Sequence, residues 1–433
     1  MPTLPDMHTP DWKTAKDKAQ FQIRYSSLYI SWFLRWLIYG TITGMVCGLA
    51  GAAFHVGIDL ATEAREGLNW LLFLLPFAGL LIVFSYHRAG LRHDPGTNLV
   101  LKSIQGQKHI PIRMAPLIFC GTILTHLCGG SSGRVGAALQ IGGSIGEGLG
   151  HVFRLKEGDI KIIIICGMSA VFATLFGTPV AAAVFTMEVI SVGVIHYSAF
   201  VPSIISASIA YGITQRWDVT EAVFPLLSAP EYSVLLMLKI ILLAMICGAV
   251  SILFCVVMHR SVELFTRLIP NDYIRVFAGG CAVIVCTLLV GTDIYNGHGS
   301  DMLVLAMTGA VPAFAFLIKI GFTALTLGTG FKGGEIAPAL FVGATLGCTV
   351  APILHIDPAI GAAVGMIALF CGVVNCPLAS IIFSVELFGS DCLLLFCIAC
   401  AVSYVFSGYY GLYNSQKIMY DKLHPQFINT NSH

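Results

Sequence analysis

Residues 162–187, 240–258, 336–356, 358–385 and 392–416 of this chain carry no Asp, Glu, Lys or Arg at all. A bilayer core of about 30 Å is crossed by roughly 20 apolar residues in a helix. Runs of this length therefore dictate helices embedded in a membrane. Less clean apolar stretches follow at 33–62, 69–86, 115–127, 276–292 and 302–318, so ten or more membrane segments fit. Charged residues make up 11% of the 433, against about a quarter in a soluble domain. Too few polar side chains exist to cover a soluble globule, which excludes that class. The net charge of +1 gives no basic surface for nucleic acid, and none is expected as a partner.

Several apolar runs are broken where a simple span would continue, as at Gly177-Thr178-Pro179 and Gly333-Gly334-Glu335. Lipid cannot satisfy the backbone groups such breaks release, so interrupted helices line buried or wet cavities. Lys13, Lys16, Lys18 and Arg24 outnumber Asp11 and Asp17 in the first segment, which places the N-terminus in the cytoplasm by the positive-inside rule. The C-terminal segment, with Lys417 and Lys422, is expected on the same side. The chain is expected to divide into a tail (1–29), two membrane repeats (30–216 and 217–420) and a short tail (421–433). The Cys397-Ile398-Ala399-Cys400 pair sits in an apolar run without nearby His, and reads as helix packing.

The two repeats are visible as an offset near 200. Cys47-Gly48 recurs as Cys247-Gly248, and Gly96 as Gly297. The segment Gly133-Arg134-Val135-Gly136-Ala137-Ala138-Leu139 runs beside Gly334-Glu335-Ile336-Ala337-Pro338-Ala339-Leu340. Gly142 and Gly146 keep register with Gly343 and Gly347, and Pro179, Phe185 and Glu188 with Pro377, Phe383 and Glu386. Small residues four apart predict close helix packing. The matched Glu188 and Glu386 predict one shared structural task, capping or packing.

Repeats in membrane transporters place a binding site at their interface, with helix N-termini aimed at it. Here Gly96, Gly133 and Gly334 each precede an apolar stretch. A helix N-terminus carries about half a positive charge and unpaired N–H groups, which favours an anion. The expected class is thus an anion permease. No Gly-x-Ser-x-Gly elbow, phosphate-binding loop or His spacing for a metal centre occurs, so neither an enzyme nor a metal or cofactor is expected. A membrane-bound enzyme or receptor is the distant alternative.

These same motifs resemble the CLC family of chloride channels and anion/proton antiporters. Gly133-Arg134-Val135-Gly136 is similar to the family's Gly-Arg/Lys-Glu-Gly segment, and Gly334-Glu335-Ile336-Ala337-Pro338 to its Gly-x-Phe-x-Pro segment. Gly96-Thr97-Asn98 takes the place of its Gly-Ser-Gly-Ile-Pro loop, and Tyr413 that of its ion-contacting tyrosine. The resemblance implies an all-α polytopic fold of about eighteen helices in two inverted repeats, and a homodimer with one path per subunit. The implied anion-binding residues are Gly96, Thr97, Asn98, Gly133, Arg134, Gly136, Glu335, Ile336 and Tyr413. The Thr97-Asn98 loop and the approach from Phe331 to Glu335 resemble the bacterial fluoride-selective branch, which implies fluoride or chloride as cargo and the bacterial inner (plasma) membrane as location.

Three positions depart from the pattern. Ala337 stands where the branch has Thr, and Val189 where the family has an inner proton-accepting glutamate. Most consequential is Val135, at the place of the gating glutamate. Valine neither carries a proton nor mimics an anion, so the expectation is an uncoupled passive pathway with Val135 at the gate. A proton-coupled fluoride or chloride antiporter is the alternative. Arg134 either steers anions or braces its own loop, and Glu335 with Lys332 reads as a local ion pair beside the Gly333-Gly334 turn.

Overall fold

The computed structural model describes residues 15–92, 96–217 and 230–433, with side chains from Tyr25 onward. Residues 1–14, which include Asp11 and Lys13 of the charged tail, lie outside the described residues. The first half holds α1 (Ala15–Gly67), α2 (Leu75–Arg88), α3 (Thr97–Ile104), α4 (Met114–Leu127), α5 (Val135–Val152), α6 (Glu157–Phe176), α7 (Pro179–Glu188) and α8 (Phe200–Arg216). The second holds α9 (Val234–Leu268), α10 (Asp272–Val290), α11 (Ser300–Thr308), α12 (Ala315–Gly328), α13 (Ile336–Val350), α14 (Pro358–Val374), α15 (Pro377–Phe388) and α16 (Leu393–Phe406). Two short 3-10 helices, Asn69–Leu74 and Tyr197–Ala199, bring the total near the eighteen implied by the resemblance. Helix α1 already begins at Ala15, within the segment read as a tail.

The two sets of eight repeat each other in packing as well as in order. Helix α1 packs on α4, α6 and α8, as α9 does on α12, α14 and α16. Helix α5 packs on α6 as α13 does on α14. Three elements meet their own counterparts: α2 meets α10, α5 meets α13, and α7 meets α15. Contacts between counterparts arise beside a twofold axis, where Gly133 pairs antiparallel with Gly334. Among the described residues, six stretches reach spanning length and are apolar enough to cross a bilayer: Tyr25–Gly67, Asn69–Arg88, Glu157–Phe176, Tyr197–Arg216, Val234–Leu268 and Asp272–Val290. Seven further apolar helices of 10–17 residues among the described residues stop short of that, as expected of runs broken by Gly and Pro. The protein is an integral, multi-pass membrane protein.

Glycine seams hold the short helices together. A Cβ on Gly142 would run into the Gly167 carbonyl oxygen, and one on Gly347 into that of Gly361. Backbones at such seams touch directly, and dispersion between them replaces the hydrophobic drive that lipid removes. The same geometry in α5/α6 and α13/α14 is the physical content of the paired glycines.

Glu188 and Glu386 exchange caps across the axis. The Glu188 carboxylate accepts from the backbone N–H groups of Leu378 (3.3 Å) and Ala379 (2.8 Å) at the start of α15. In return Glu386 accepts from Val180 (3.0 Å) and Ala181 (2.7 Å) at the start of α7. Pro179 and Pro377 open these helices and leave the next N–H groups for the carboxylates. Hydrogen bonds to a charged acceptor contribute about 2 kcal/mol. Glu188→Ala is expected to lower the thermal unfolding midpoint in detergent by a loss of that order. An unchanged midpoint would contradict the capping role.

The C-terminal segment is knitted into the fold. Strand β1 (Ser191–Val192) pairs in parallel with β2 (Lys417–Tyr420), which pairs antiparallel with β3 (Phe427–Asn431). The Lys422 ammonium donates to Asn375 Oδ1 (2.6 Å), the Tyr404 carbonyl (2.8 Å) and Ser407 Oγ (3.0 Å). These bonds hold the last residues against α14 and α16, and with them the Gly411–Ser415 loop that carries Tyr413.

Candidate functional site

At the centre, Gly133 and Gly334 exchange two backbone hydrogen bonds, each 2.7 Å. Side chains would prevent this approach: a Cβ on Gly133 would lie 2.8 Å from Ala337 Cβ and Pro338 Cδ. The pairing sets the start of α5 against the start of α13. Both helices, and α3 after Gly96, begin without a side-chain cap. Gly96 reaches its turn at φ +62°, a conformation that suits glycine. A methyl group at Gly136 would stand 3.4 Å from Thr97 Oγ1 and 3.6 Å from Glu335 Oε2. The three helix starts therefore meet within a few ångströms.

Beside this junction lies a cavity of about 580 Å³. Gly96, Thr97, Asn98, Glu335 and Tyr413 line it, so the fold unites residues that lie more than 300 positions apart. Thr97 Oγ1 donates to the Gly136 carbonyl (3.2 Å) and accepts from Gln140 Nε2 (3.4 Å). Asn98 Oδ1 accepts from the Ser415 N–H (2.9 Å), which leaves its amide nitrogen as the donor end. The Tyr413 hydroxyl is buried and has no hydrogen-bond partner among the described residues. The site offers hydroxyl, amide and backbone donors, and Arg92, Arg275 and Lys332 also line the cavity, chemistry suited to an anion.

The remaining expected residues do not line the cavity. Gly133, Arg134, Val135, Gly136 and Ile336 lie behind its wall, and Val135 and Ile336 are fully buried in the main core. Arg134 is turned away: Nη1 stands 3.4 Å from Asp59 Oδ1, and Asp59 Oδ2 lies 3.2 Å from His55 Nε2. The Lys332 ammonium stands 4.2 Å above the Tyr86 ring. Gln140 was not expected at the site. Its signal in the sequence is a lone polar residue within the apolar first turns of α5.

Behind the turns, toward the C-terminal end of α1, a second polar group gathers. Lys319 Nζ donates to the carbonyls of Tyr295 (2.9 Å) and Gly297 (2.8 Å), and lies 5.1 Å from the Phe341 ring centre. The His126 and His298 rings are 5.9 Å apart. His126 Nε2, His298 Nδ1, Arg65 Nη1 and Asn296 Nδ2 are buried and have no hydrogen-bond partner among the described residues. The fold also joins His109 to Glu147 and His151, which no local spacing links to it, and the ligand atoms of the three lie within 4.8 Å of one another.

Two inverted halves that meet through uncapped helix starts beside a donor-lined cavity define a membrane transport protein for anions. Comparison with known proteins agrees. Residues 78–408 match the family described as voltage gated chloride channel. The chain is 37% identical over 384 residues to the chloride/fluoride channel protein of Pseudomonas syringae pv. tomato, with 87% of this chain and 85% of that protein covered. It is 26% identical to the H(+)/Cl(-) exchange transporter ClcA of Vibrio cholerae, covering 88% and 85%. Among solved structures, a CLC-type fluoride/proton antiporter superposes with a TM-score of 0.85 at 30% identity, covering 88% of this chain and 98% of that one. The chain belongs to the CLC family of voltage-gated chloride channels and anion transporters.

Proposed function

We propose that this protein is a passive path for fluoride and chloride, in which anion movement is not coupled to protons. The observation that carries this reading is Val135. It opens α5 where the N–H groups are bare, is fully buried, and has no group that could alternate between charged and protonated forms. An anion entering the cavity meets Thr97, Asn98 and Tyr413, then passes the Gly133/Gly334 turns and the N–H groups around Gly136 and Ile336. On the far side the donors of Arg65, His126 and His298 receive it. Positive charge in the first segment supports a cytoplasmic cavity and an exterior histidine side.

Fluoride and chloride efflux from liposomes, compared with and without an imposed proton gradient, tests this reading. Rates set by the anion gradient alone are expected, and rates that follow the proton gradient would contradict it. That second outcome has a structural candidate. The Glu335 carboxylate lines the cavity at the start of α13, so an antiporter reading rests on this acid.

Selectivity follows from donor strength. Fluoride holds its water more tightly than chloride and demands short, strong donors in exchange. Asn98→Ala removes the amide donor, and with it the acceptor that anchors Ser415. Fluoride flux is expected to fall about tenfold relative to chloride, matching one lost hydrogen bond to an anion. Equal loss of both fluxes in paired efflux assays would contradict the assignment. The functional unit is a homodimer with one path in each subunit, and a mass of two chains in detergent is the expected result. Monomers alone would overturn it.

A further inference from the structure

The geometry points to a divalent transition-metal site, built from His109, Glu147 and His151, at the end of α5 remote from the anion junction. His109 Nδ1 lies 2.9 Å and His151 Nε2 3.7 Å from the same carboxylate oxygen, Glu147 Oε1. In a tetrahedral zinc site with bonds of 2.0–2.1 Å, ligand atoms stand about 3.3 Å apart. The two separations from the carboxylate straddle that value, and all three ligand atoms lie within 4.8 Å of one another, a gap that side-chain rotations close. Two imidazoles and one carboxylate, with a fourth position left for water, favour zinc-like ions over calcium or magnesium.

The carboxylate is held as a ligand should be. Glu147 is 1% exposed, and its other oxygen, Oε2, accepts from Ser103 Oγ (2.8 Å) and the Ile110 N–H (2.9 Å). Those bonds fix its orientation and leave Oε1 facing the two rings, the outer-shell arrangement that metal sites use. The His109 and His151 side chains are 82% and 59% exposed, so an ion enters directly from water. Glu147 and His151 are four apart on α5 and share one helix face.

The site also has a mechanical connection. Ser103 lies in the last turn of α3, the eight-residue helix whose first residues, Thr97 and Asn98, line the anion cavity. A metal ion joining His109 to α5 clamps the loop after α3 and restrains that helix. Zinc bound here slows anion flux.

Equilibrium binding of Zn2+ to the purified full-length chain in detergent tests the site without relying on transport. One Zn2+ per chain is expected, and Ca2+ and Mg2+ are expected not to displace it. The His109→Ala/His151→Ala double variant loses this binding, and Ser103→Ala weakens it about tenfold, as loss of an outer-shell bond does. Binding undiminished in the double variant, or no binding by the unmodified chain, overturns the site. In liposomes, Zn2+ slows flux through the unmodified chain and not through the double variant. Flux indifferent to bound Zn2+ overturns the connection to α3.

Discussion

Val135→Glu is expected to cut anion flux about a hundredfold at neutral pH. A carboxylate there is a tethered anion beside the N–H groups that open α5 and α13, where the helix starts carry partial positive charge. Charge-assisted bonds to two such donors contribute about 3 kcal/mol, which corresponds to a shift of roughly a hundredfold in the accessible population. The ionised form is the one these donors hold, so the block is present at high pH and is relieved as pH falls. Val135→Gln has a similar shape without a titratable proton, and its flux should not vary with pH. Efflux rates from liposomes measured across a pH series check both variants. A glutamate variant as fast as the unmodified chain at every pH would show that residue 135 does not border the path.

Gly334→Ala should have a comparable effect for a different reason. A Cβ at 334 would run into the Gly136 backbone nitrogen, with Gly136 Cα only 2.9 Å away. The paired turns would separate and both 2.7 Å hydrogen bonds between Gly133 and Gly334 would be lost. Each such bond contributes about 1 kcal/mol before any steric cost. Flux is expected to fall about a hundredfold, since the N–H groups of α5 and α13 would no longer face one point. Gly321→Ala on α12 is the control, because nothing lies within 4 Å of a Cβ there. Its flux should match that of the unmodified chain. Equal flux from both variants would contradict a path that runs through the paired turns.

Much of this arrangement is legible before any coordinates. The offset near 200 between Cys47 and Cys247, or Gly133 and Gly334, is the signature of two sets of eight helices packed alike. Glu188 and Glu386 stand in register in the sequence, and the fold shows why: each caps the helix that bears the other. Glycine turns are readable because only a residue without a side chain permits such approaches. Side-chain partners are not, because they depend on which distant helices the packing brings together. Arg134, read either as steering anions or as bracing its loop, finds Asp59, 75 positions earlier. Gln140 reaches Thr97 across 43 positions. His109 joins Glu147 from a loop whose course is set by the docking of α3 on α5, and no local spacing announces it. The last residues read as a tail because a short polar segment looks solvated. Their strand β3 pairs with β2, which in turn pairs with β1 more than 200 positions away.

The claim that anion movement here is uncoupled rests on the absence of a proton carrier at Val135, and proton uptake is its most direct test. Liposomes bearing the protein are placed in an anion gradient with no other driving force, and external pH is recorded as fluoride or chloride moves. The account predicts anion flux with no accompanying proton movement beyond that of protein-free liposomes. Proton movement in fixed ratio to the anion, abolished by Glu335→Gln, would contradict it and would make Glu335 the carrier.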